Sequence, residues 1–595
     1  MLVKSVEYIG YDNSDVYDLT VANTHTYLVS ESDVVVHNCG VGFRPKAGLL
    51  TGLPSSITEI KVIGSSRTDK GGAEDTTSVV DLAASTWTIG FGDSAKAWAK
   101  GLGKLTAEKA RVKTLILDFS ELRPGGKRLK GYGWLSSGWK PLEKGILGIV
   151  QVMLKRGDAT LTDLDIGDII NWLGTVLSSR RSAQIWLRQV NETEWEDILR
   201  VHGDFIDAKT DRWDKGQGQR EQSNNSLVFM VKPSVRTIEQ LLKRILAGGE
   251  PGFVNGVEAK RRAPEMEGLN PCAEILLPTK GFCNLFQVVW HRFNGNFAAL
   301  KRAQYLAGRA NYRQTCVSMR DGVLQLQWED NQKLLRLCGV SPTGYVAWDG
   351  MNNAEMLEGC RDAAIAGANS MADDLGLQRS RRVTQVQPSG TGSKALGIEG
   401  DEVHEGAHVA MSRYIFNNIN FSVHDLMWVK LRDAGYHVRP NPVDPTGVLV
   451  RFPVAYPDSP LFTKVVREID GRLEELEINT ESAISQLERY RMLMRHYVQH
   501  NCSITVSFDE SEIEGMSEWF DKNWNDYVGV SFLKRNDPTK TAADLGFKYL
   551  PQECVSKRIY EEYVATLQAV SLEDDVGEDL LDMGDCGAGG ACPIR

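Results

Sequence analysis

Residues 270–278, with the sequence NPCAEILLP, place an amide, a thiol and a carboxylate within five positions. In an extended strand alternate residues point to the same side, so we expect Asn270, Cys272 and Glu274 to share one face. Such a group combines a hydrogen-bond donor, a sulfur and a potential general base. A second thiol, Cys283, follows in GFCNL. The alternative is that both Cys are packing residues on strands, where free Cys often occurs.

A second pair of thiols, Cys586 and Cys592, lies at the end of the chain with only Gly and Ala between them. The preceding residues, 571–585, contain seven acidic residues and no basic residue, which predicts an extended, solvated segment. Two mobile, accessible Cys suit thiol–disulfide exchange. Two alternatives stay open: a disordered tail with incidental Cys, and a zinc site, although a zinc site usually needs four ligands.

The tripeptide His37-Asn38-Cys39 follows an apolar run, Val34–Val36, which is one of three short strand signals near the start of the chain. An Asn side chain can attack its own backbone carbonyl and cut the chain, a His can move the proton, and a following Cys can act as nucleophile. The alternative is an ordinary strand end followed by a Cys.

The longer segment 16–39, VYDLTVANTHTYLVSESDVVVHNC, resembles the C-terminal splicing blocks of an intein. The resemblance implies that Asn38 cyclises with help from His37 and His25, and that Asp18 tunes the thiol of Cys39. An intein also needs an N-terminal half, so we expect residues 1–38 to be a small all-β, Hint-type C-terminal fragment of a split intein. Its partner would be an N-terminal intein fragment joined to the N-terminal part of the host protein. The alternative is a gene fragment that begins inside a contiguous intein.

Several motifs along residues 39–595 together resemble the catalytic subunit of ribonucleotide reductase. They are NPCAEI, FCNL, the terminal CGAGGACPIR, CGVGF (39–43), LRPGGKRLKG (122–131), LGTVLSSRRSAQI (173–185), GVSPTG (339–344) and QPSGTGSKALG (387–397). The resemblance implies an α/β fold, a ten-stranded reductase-type barrel over residues 39–570. A central finger loop would carry the catalytic Cys, and residues 571–595 would form a flexible tail.

The resemblance also implies a radical mechanism on a ribonucleotide substrate. Cys272 would become a thiyl radical that abstracts the 3′-hydrogen, Glu274 would take the 3′-hydroxyl proton, and Asn270 would bind the substrate. Cys39 and Cys283 would reduce the 2′ position and end as a disulfide. The pair Cys586 and Cys592 would reduce that disulfide and be regenerated by a thioredoxin-like partner.

The resemblance further implies a substrate phosphate loop, formed by Ser389, Gly390, Thr391, Gly392 and Ser393, whose small residues let backbone N–H groups approach an anion. The spacing in GTGSKA does not match a P-loop, so we reject an ATPase. A dNTP or ATP allosteric effector is expected for the family. The five Cys that the mechanism leaves over, at 316, 338, 360, 502 and 554, are predicted to be packing residues.

The type of reductase depends on how the radical is made. No adjacent Tyr pair occurs in the sequence, and Tyr560 and Tyr563 are predicted to lie on a helix. The forms PSGTGS and CGVGF resemble the adenosylcobalamin-dependent class II, and within it the monomeric type that reduces triphosphates. The alternatives are a class I large subunit that needs a separate radical-generating subunit, and an inactive reductase fragment in which only the intein half functions.

Composition limits the partners and the cellular compartment that we expect for this protein. The 595 residues have a formal net charge of −10, which argues against general binding to nucleic acid. We found no apolar run long enough to span a membrane and no signal peptide. Ten Cys without a secretory signal suggest a reducing cytoplasm, in a bacterium or a phage-infected bacterial host. No metal site is predicted.

Both helices and strands are predicted to position these residues. An apolar face formed by Ile238, Leu241, Leu242, Ile245 and Leu246 predicts a helix that ends at the Gly pair 248–249. Strict alternation over 502–508 and the apolar runs 115–117 and 448–450 predict strands. Mixed helices and strands without long linkers indicate a large α/β unit.

Overall fold

A computed structural model describes most of the chain between residues 28 and 570. The described residues are 28–29, 34–37, 41–45, 48, 50–127, 135–176, 184–209, 218–317, 324–390, 392–399, 402–444, 446–469, 471–535, 537 and 540–570.

The described strands are mostly short. They are β1 Leu28–Val29, β2 Val34–His37, β3 Val41–Gly42, β4 Glu59–Ile63, β5 Thr77–Asp81, β6 Thr86–Gly90, β7 Thr114–Asp118, β8 Gln184–Val190, β9 Ser223–Phe229, β10 Gly252–Asn255, β11 Gly268–Leu269, β12 Leu276–Leu277, β13 Gly281–Phe282, β14 Leu285–Val289, β15 Val340–Thr343, β16 Ile398–Glu399, β17 Glu402–Val403, β18 Tyr414–Ser422, β19 Val438–Pro440, β20 Gly447–Ala455, β21 Phe462–Ile469, β22 Arg472–Asn479, β23 Thr505–Phe508, β24 Gly529–Lys534 and β25 Gln552–Cys554.

The described α-helices lie between these strands. They are α1 Ala95–Ala107, α2 Trp139–Arg156, α3 Asp163–Gly174, α4 Trp195–Ile206, α5 Val235–Gly248, α6 Gly256–Arg262, α7 Phe297–Gln314, α8 Leu326–Leu335, α9 Ala354–Asp374, α10 Gly392–Leu396, α11 Met427–Asp433, α12 Ala483–His496, α13 Ile513–Lys522 and α14 Lys557–Val564.

The elements that the apolar patterns predict are present. Helix α5 buries Ile238, Leu241, Leu242 and Ile245, and it ends at Gly249, which adopts the left-handed conformation that suits a glycine after a helix. The runs 115–117 and 448–450 lie in β7 and β20. The alternating segment forms β23 from Thr505 onward. In this strand Val506 and Phe508 are buried, whereas Thr505 is exposed and Ser507 is partly exposed. The mixed α/β class is therefore confirmed.

Two sheets in the central part of the chain are joined by isolated bridges into one run of strands. One sheet has the order β23-β24-β10-β9-β8 and the other β1-β2-β14-β15. Val386 bridges to Cys502, just before β23, and Thr384 bridges to Val340 at the start of β15. With the segment 384–386 included, ten strands follow one another in space. A closed barrel would also need β1 beside β8. The described pairings do not include that contact, so the closed ring stays a prediction.

The helices α5, α7, α9, α12 and α13 pack on these strands and enclose the largest apolar core. A separate apolar core is formed by the sheet β4-β7-β6-β5 and the helices α1, α2 and α3. The strands β16, β17, β18, β19, β20 and β25 form a further sheet, and β21 pairs with β22 as a hairpin. Among the residues described, no helix is long and apolar enough to cross a membrane.

Candidate active site

The segment that contains Cys272 forms a tight turn between β11 and β12, which pair antiparallel. We call residues 270–275 the fingertip turn. Asn270 closes it twice, because its carbonyl accepts from the N–H of Ala273 at 2.8 Å and its Oδ1 accepts from the N–H of Ile275 at 2.8 Å. Ala273 has a φ of +66°. The prediction of an extended strand here is therefore wrong, because the chain reverses direction within four residues.

The turn nevertheless brings the three side chains together in a different way. Asn270 and Glu274 are buried, whereas Cys272 is exposed at the tip. The side chain of Asn270 hydrogen-bonds the carboxylate of Glu274. A turn can direct residues 270 and 274 inward and residue 272 outward, which alternation along a strand cannot do.

Burial and charge set the protonation of both reactive groups. Burial raises the pKa of Glu274 to about 7, although the hydrogen bond from Asn270 opposes this shift. The pKa of the Cys272 thiol is raised to about 12, first by desolvation and then by the charge of Glu274. At neutral pH the site therefore holds a protonated thiol beside a carboxyl group that can take or release a proton.

Cys283 is buried between β13 and β14. Strand β14 pairs with β2 so that Leu285 lies opposite His37, and β13 pairs with β3 so that Phe282 lies opposite Val41. The described residues on both sides of Cys39 are thus paired with the residues on both sides of Cys283. Cys39 itself lies outside the described residues.

The predicted phosphate loop runs from Pro388 into α10. Ser389 has a φ of +54°, and its hydroxyl is 2.8 Å from that of Thr343 at the end of β15. Its carbonyl accepts both the N–H and the hydroxyl of Ser393, at 2.8 and 2.6 Å. These bonds make a compact loop of small residues, which is the type of backbone that accommodates anions.

Gly392 has a steric reason to be glycine. A Cβ at this position would lie 2.6 Å from Oε1 of Gln287, a residue of β14 with no exposed surface. Neither polar atom of the Gln287 amide has a hydrogen-bond partner among the residues described. A buried amide without a hydrogen-bond partner is energetically costly. Gln287 therefore places two unpaired polar atoms directly beneath the loop. Its signal in the sequence is one Gln inside the apolar strand LFQVV.

Two further titratable groups, Glu405 and His408, lie partly buried beside the loop. Lys394 donates to the carbonyl of Gly390 at 2.9 Å and faces Glu405, whose pKa burial raises to about 8. His408 accepts the N–H of Thr505 at 2.9 Å and hydrogen-bonds the backbone of Pro388, so that it ties the loop to β23. Burial lowers the pKa of His408 to about 4, which keeps this ring neutral. Sequence reasoning did not find Glu405 or His408.

A cavity of about 950 Å³ opens beside the loop. Pro388, Gly390 and Ser393 line one part of it, and Val409, Met411, Ile478, Leu533 and Phe547 are among its apolar lining residues. The volume falls within the range of small-molecule and cofactor sites.

Several predicted site residues lie outside the described part of the chain. These are Asp18, His25, Asn38, Cys39, Thr391, Cys586 and Cys592, and for His37 only the backbone strand is described. Of the five predicted packing Cys, Cys338, Cys360 and Cys502 are buried, and Cys316 and Cys554 are partly buried, as a packing role requires. No group of three His, Cys, Asp or Glu in the described residues could hold a metal ion.

Comparison with known proteins finds a group of similar enzymes. The chain is 27% identical over 542 residues to the adenosylcobalamin-dependent ribonucleoside-triphosphate reductase of Lactobacillus acidophilus, which covers 81% of this chain and 66% of that protein. It is 28% identical over 539 residues to the enzyme of the same name from Lactobacillus gasseri, with the same coverage. The Lactobacillus leichmannii enzyme of that name is 26% identical over 545 residues, covering 82% of this chain and 67% of the relative.

A solved structure agrees with these relatives. The crystal structure of a B-12 dependent (class II) ribonucleotide reductase superposes with a TM-score of 0.63 at 21% identity, over 89% of this chain and 75% of that chain. It shows the α/β fold. The chain is thus homologous to adenosylcobalamin-dependent ribonucleoside-triphosphate reductases over 81% of its length. It spans 66% of the length of the L. acidophilus and L. gasseri relatives. No family model matches the chain.

Proposed function

We propose that this chain is the catalytic part of a class II reductase that converts ribonucleoside triphosphates to deoxyribonucleotides. The observation that carries the proposal is the fingertip turn, which presents a protonated Cys272 thiol at its tip and a Glu274 carboxyl group of pKa about 7 behind it. A thiyl radical forms by loss of a hydrogen atom from a thiol, so a thiol with a high pKa is the suitable precursor.

In the proposed reaction, one side chain at the tip takes a hydrogen atom from the ribose and another takes a proton. The Cys272 thiyl takes the 3′-hydrogen atom of the ribose and becomes a thiol. Glu274 takes the proton of the 3′-hydroxyl group, which its pKa of about 7 permits at neutral pH. Asn270 holds both the turn and the carboxylate in place. At the end of the cycle Cys272 returns its hydrogen atom to C3′.

The reducing equivalents come from the pair Cys39 and Cys283. The two thiols supply two electrons and two protons, the 2′-hydroxyl group leaves as water, a hydrogen replaces it at C2′, and the sulfurs form a disulfide. The pairing of Val41 with Phe282, which lies on the part of the chain that splicing retains, supports this assignment. Cys586 and Cys592 would then reduce the disulfide by exchange, and a thioredoxin-like protein would reduce them in turn.

The phosphate loop, Ser389–Ser393, would hold the phosphate groups of the substrate. Two observations support this role: its small residues, and the unpartnered amide of Gln287 beneath Gly392. Lys394 adds a positive charge at the start of α10. A dNTP or ATP effector is part of the proposal, without assigned residues.

Adenosylcobalamin is the cofactor that we propose. When bound, it supplies the one-electron chemistry that converts a thiol to a thiyl radical. The exposed tip of the fingertip turn makes Cys272 accessible to such a group. Val409, Met411, Ile478, Leu533 and Phe547, which line the cavity beside the phosphate loop together with Lys534 and Lys548, are the described residues that would contact the cofactor.

Maturation by protein splicing is the second part of the proposal. The pattern in residues 16–39 supports it, with Asn38 as the cyclising residue, Cys39 as the junction nucleophile, His37 and His25 as proton carriers and Asp18 as their helper. The predicted cut lies between β2, which ends at His37, and β3, which begins at Val41. Splicing would therefore remove the residues that pair with β14 and replace them with residues from the N-terminal partner.

Co-expression of the chain with an N-terminal portion that carries a matching intein half tests both parts. We expect a spliced product that is heavier than residues 39–595 alone, because the N-terminal partner is joined to them. We expect deoxyribonucleoside triphosphate to form only when adenosylcobalamin and a dithiol are both present. Cys272→Ser is the control for chemistry, and Cys360→Ser, a buried Cys on α9, is the matched control for loss of a thiol. Activity without adenosylcobalamin but with a separate radical-generating protein would instead indicate class I.

A further inference from the structure

The side chain of Asn501 connects the fingertip turn to β24. It has no exposed surface. Its Nδ2 donates to the carbonyl of Ala273 at 2.7 Å and to that of Gly529 at 3.5 Å. Its Oδ1 accepts the hydroxyl of Tyr490 at 2.9 Å and the N–H of Gly529 at 3.3 Å. The amide therefore uses both donors and accepts two hydrogen bonds.

The backbone of Asn501 holds the same turn from the next residue. Its N–H donates to the carbonyl of Glu274 at 3.0 Å, and its carbonyl accepts the N–H of Val386 at 3.2 Å. Asn501 thus binds the two carbonyl groups that directly follow Cys272 in the chain. No other residue contacts the turn through both its side chain and its backbone in the hydrogen bonds described.

The conformation of the turn needs such support. Ala273 has a φ of +66°, a left-handed conformation that L-residues other than Gly, Asn and Asp rarely adopt. Strained backbone persists where surrounding contacts hold it, and it is concentrated at functional sites. The nearest other support, the bond from the N–H of Leu276 to Nδ1 of His500, is longer, at 3.3 Å.

We propose that Asn501 is the positioning residue of the reactive thiol: it fixes the strained turn so that Cys272 stays at the tip beside Glu274. Tyr490 acts behind it, because its hydroxyl orients the Asn501 amide while accepting the N–H of Val528 at 3.0 Å. The claim that Asn501 positions Cys272 for a reaction rests on the proposed function, whereas the claim that Asn501 fixes the turn does not. The placement itself is tested without cofactor, substrate or turnover.

The test is the alkylation of Cys272 in the full 595-residue chain. The reduced protein reacts with iodoacetamide between pH 7 and 10, and peptide mass spectrometry follows Cys272, Cys338 and Cys360 separately. In the original protein Cys272 reacts slowly, because the raised pKa of its thiol leaves little thiolate. Asn501→Ser releases the turn, which lets the thiol move away from the Glu274 carboxylate and so lowers the pKa of the thiol. We expect labelling of Cys272 at pH 8 to become roughly tenfold faster, since one pH unit in pKa changes the thiolate fraction tenfold.

The matched control is Asn523→Ser. Asn523 is also buried, and its Nδ2 donates to a backbone carbonyl, that of Trp519, at 2.9 Å, but it makes no described bond to the turn. We expect Cys272 to react in this variant as in the original protein. Equal Cys272 labelling in Asn501→Ser and Asn523→Ser, with Cys338 and Cys360 still protected, overturns the proposal.

A second variant covers the case in which Asn501→Ser unfolds, which labelling of Cys338 and Cys360 would reveal. Tyr490→Phe removes one hydroxyl group and leaves the Asn501 amide in place but less firmly oriented. We expect a smaller increase in Cys272 labelling, about threefold, as for a change of half a pH unit in the thiol pKa. No increase in folded Tyr490→Phe overturns the proposal. If the proposed reductase activity fails while these labelling results hold, only the function is wrong.

Discussion

The side chains of Asn270, Cys272 and Glu274 act as one group because the fingertip turn separates their environments. Glu274 lies inside the protein and Cys272 lies at the tip, two residues away. Burial raises the pKa of Glu274 and leaves this carboxyl near its midpoint at neutral pH, while local desolvation and the charge of Glu274 raise the pKa of the Cys272 thiol and keep it protonated. In the proposed mechanism, hydrogen-atom transfer and proton transfer therefore belong to different side chains.

The hydrogen bond from Asn270 lowers the pKa of Glu274, so its removal should have the opposite effect. In Asn270→Ala we expect the acid limb of the pH–rate profile of the mature enzyme to move to higher pH by about one unit, because a hydrogen bond to a charged group contributes about 1.5 kcal/mol. The measurement is kcat against pH for the original protein and the variant. An acid limb that stays in place, or moves to lower pH, would contradict this assignment of the base.

The pKa of Glu274 also predicts a stability change that does not depend on activity. A carboxyl group with a pKa of about 4.5 in the unfolded chain and about 7 in the fold destabilises the folded protein as pH rises from 4.5 to 7, and the full cost remains above 7. Glu274→Gln removes this cost, which is on the order of 3 kcal/mol at pH 8 and near zero at pH 4.5. Thermal unfolding at pH 5 and pH 8 should show Glu274→Gln more stable than the original protein by a much larger margin at pH 8. An equal margin at both pH values would contradict the raised pKa.

At the scale of elements, the site depends on where strands end. The phosphate loop follows the segment that bridges to β15, and β14 carries Gln287 beneath it. The pair β13 and β14 places Cys283 opposite the junction between β2 and β3. Cys283 and the phosphate loop are therefore held by pairing between strands that are far apart in the sequence, whereas the fingertip turn joins two neighbouring strands.

The close contact between Gly392 and Gln287 predicts the effect of adding one methyl group. In Gly392→Ala the new Cβ would lie 2.6 Å from Oε1 of Gln287, so either the loop or the buried Gln287 side chain must shift. We expect KM for the triphosphate to rise by about tenfold, equivalent to about 1.4 kcal/mol, with a smaller change in kcat. Gly515→Ala on α13, where a Cβ meets no atom within 4 Å, is the control and should leave KM unchanged. An unchanged KM in Gly392→Ala would remove the loop from the substrate site.

Local patterns predicted the elements better than the site. Helix α5 and strands β7 and β20 follow from apolar periodicity, because a buried face repeats with the period of the element. The fingertip turn did not follow, since nothing in NPCAEI signals a positive φ at Ala273. Asn501 could not be found either, because its bond to Ala273 joins residues 228 positions apart. The motif resemblance identified Cys272, Glu274 and Asn270 without their geometry.

At the scale of the whole molecule, the chain combines a reductase-like α/β unit with a short N-terminal block. Strand β2 of that block occupies the edge of β14. If the chain is cut after Asn38, this edge becomes available to the N-terminal partner. Splicing and completion of the sheet would then be one event, and Cys39 would serve both the splice junction and the reducing pair.

The splicing proposal predicts the effect of replacing Asn38. Asn38→Ala cannot form the cyclic imide, so we expect no release of the partner-linked reductase from residues 1–38 in co-expressed protein. Intact mass spectrometry of the purified products measures this directly. His202→Ala, which replaces a His paired with Glu192 at 2.8 Å outside the N-terminal block, is the control and should splice normally. Cleavage after residue 38 in Asn38→Ala would reject the intein mechanism.

The central claim is that the Cys272 radical drives reduction of the substrate by Cys39 and Cys283, and a single turnover tests it most directly. The pre-reduced mature enzyme, with Cys586 and Cys592 replaced by Ser, receives adenosylcobalamin and a ribonucleoside triphosphate without external dithiol, and deoxynucleotide and disulfide-linked peptides are measured together. We predict one deoxynucleotide per active chain, matched by one Cys39–Cys283 disulfide, and neither product in Cys272→Ser. Deoxynucleotide formed by Cys272→Ser, or formed without that disulfide, would contradict the account.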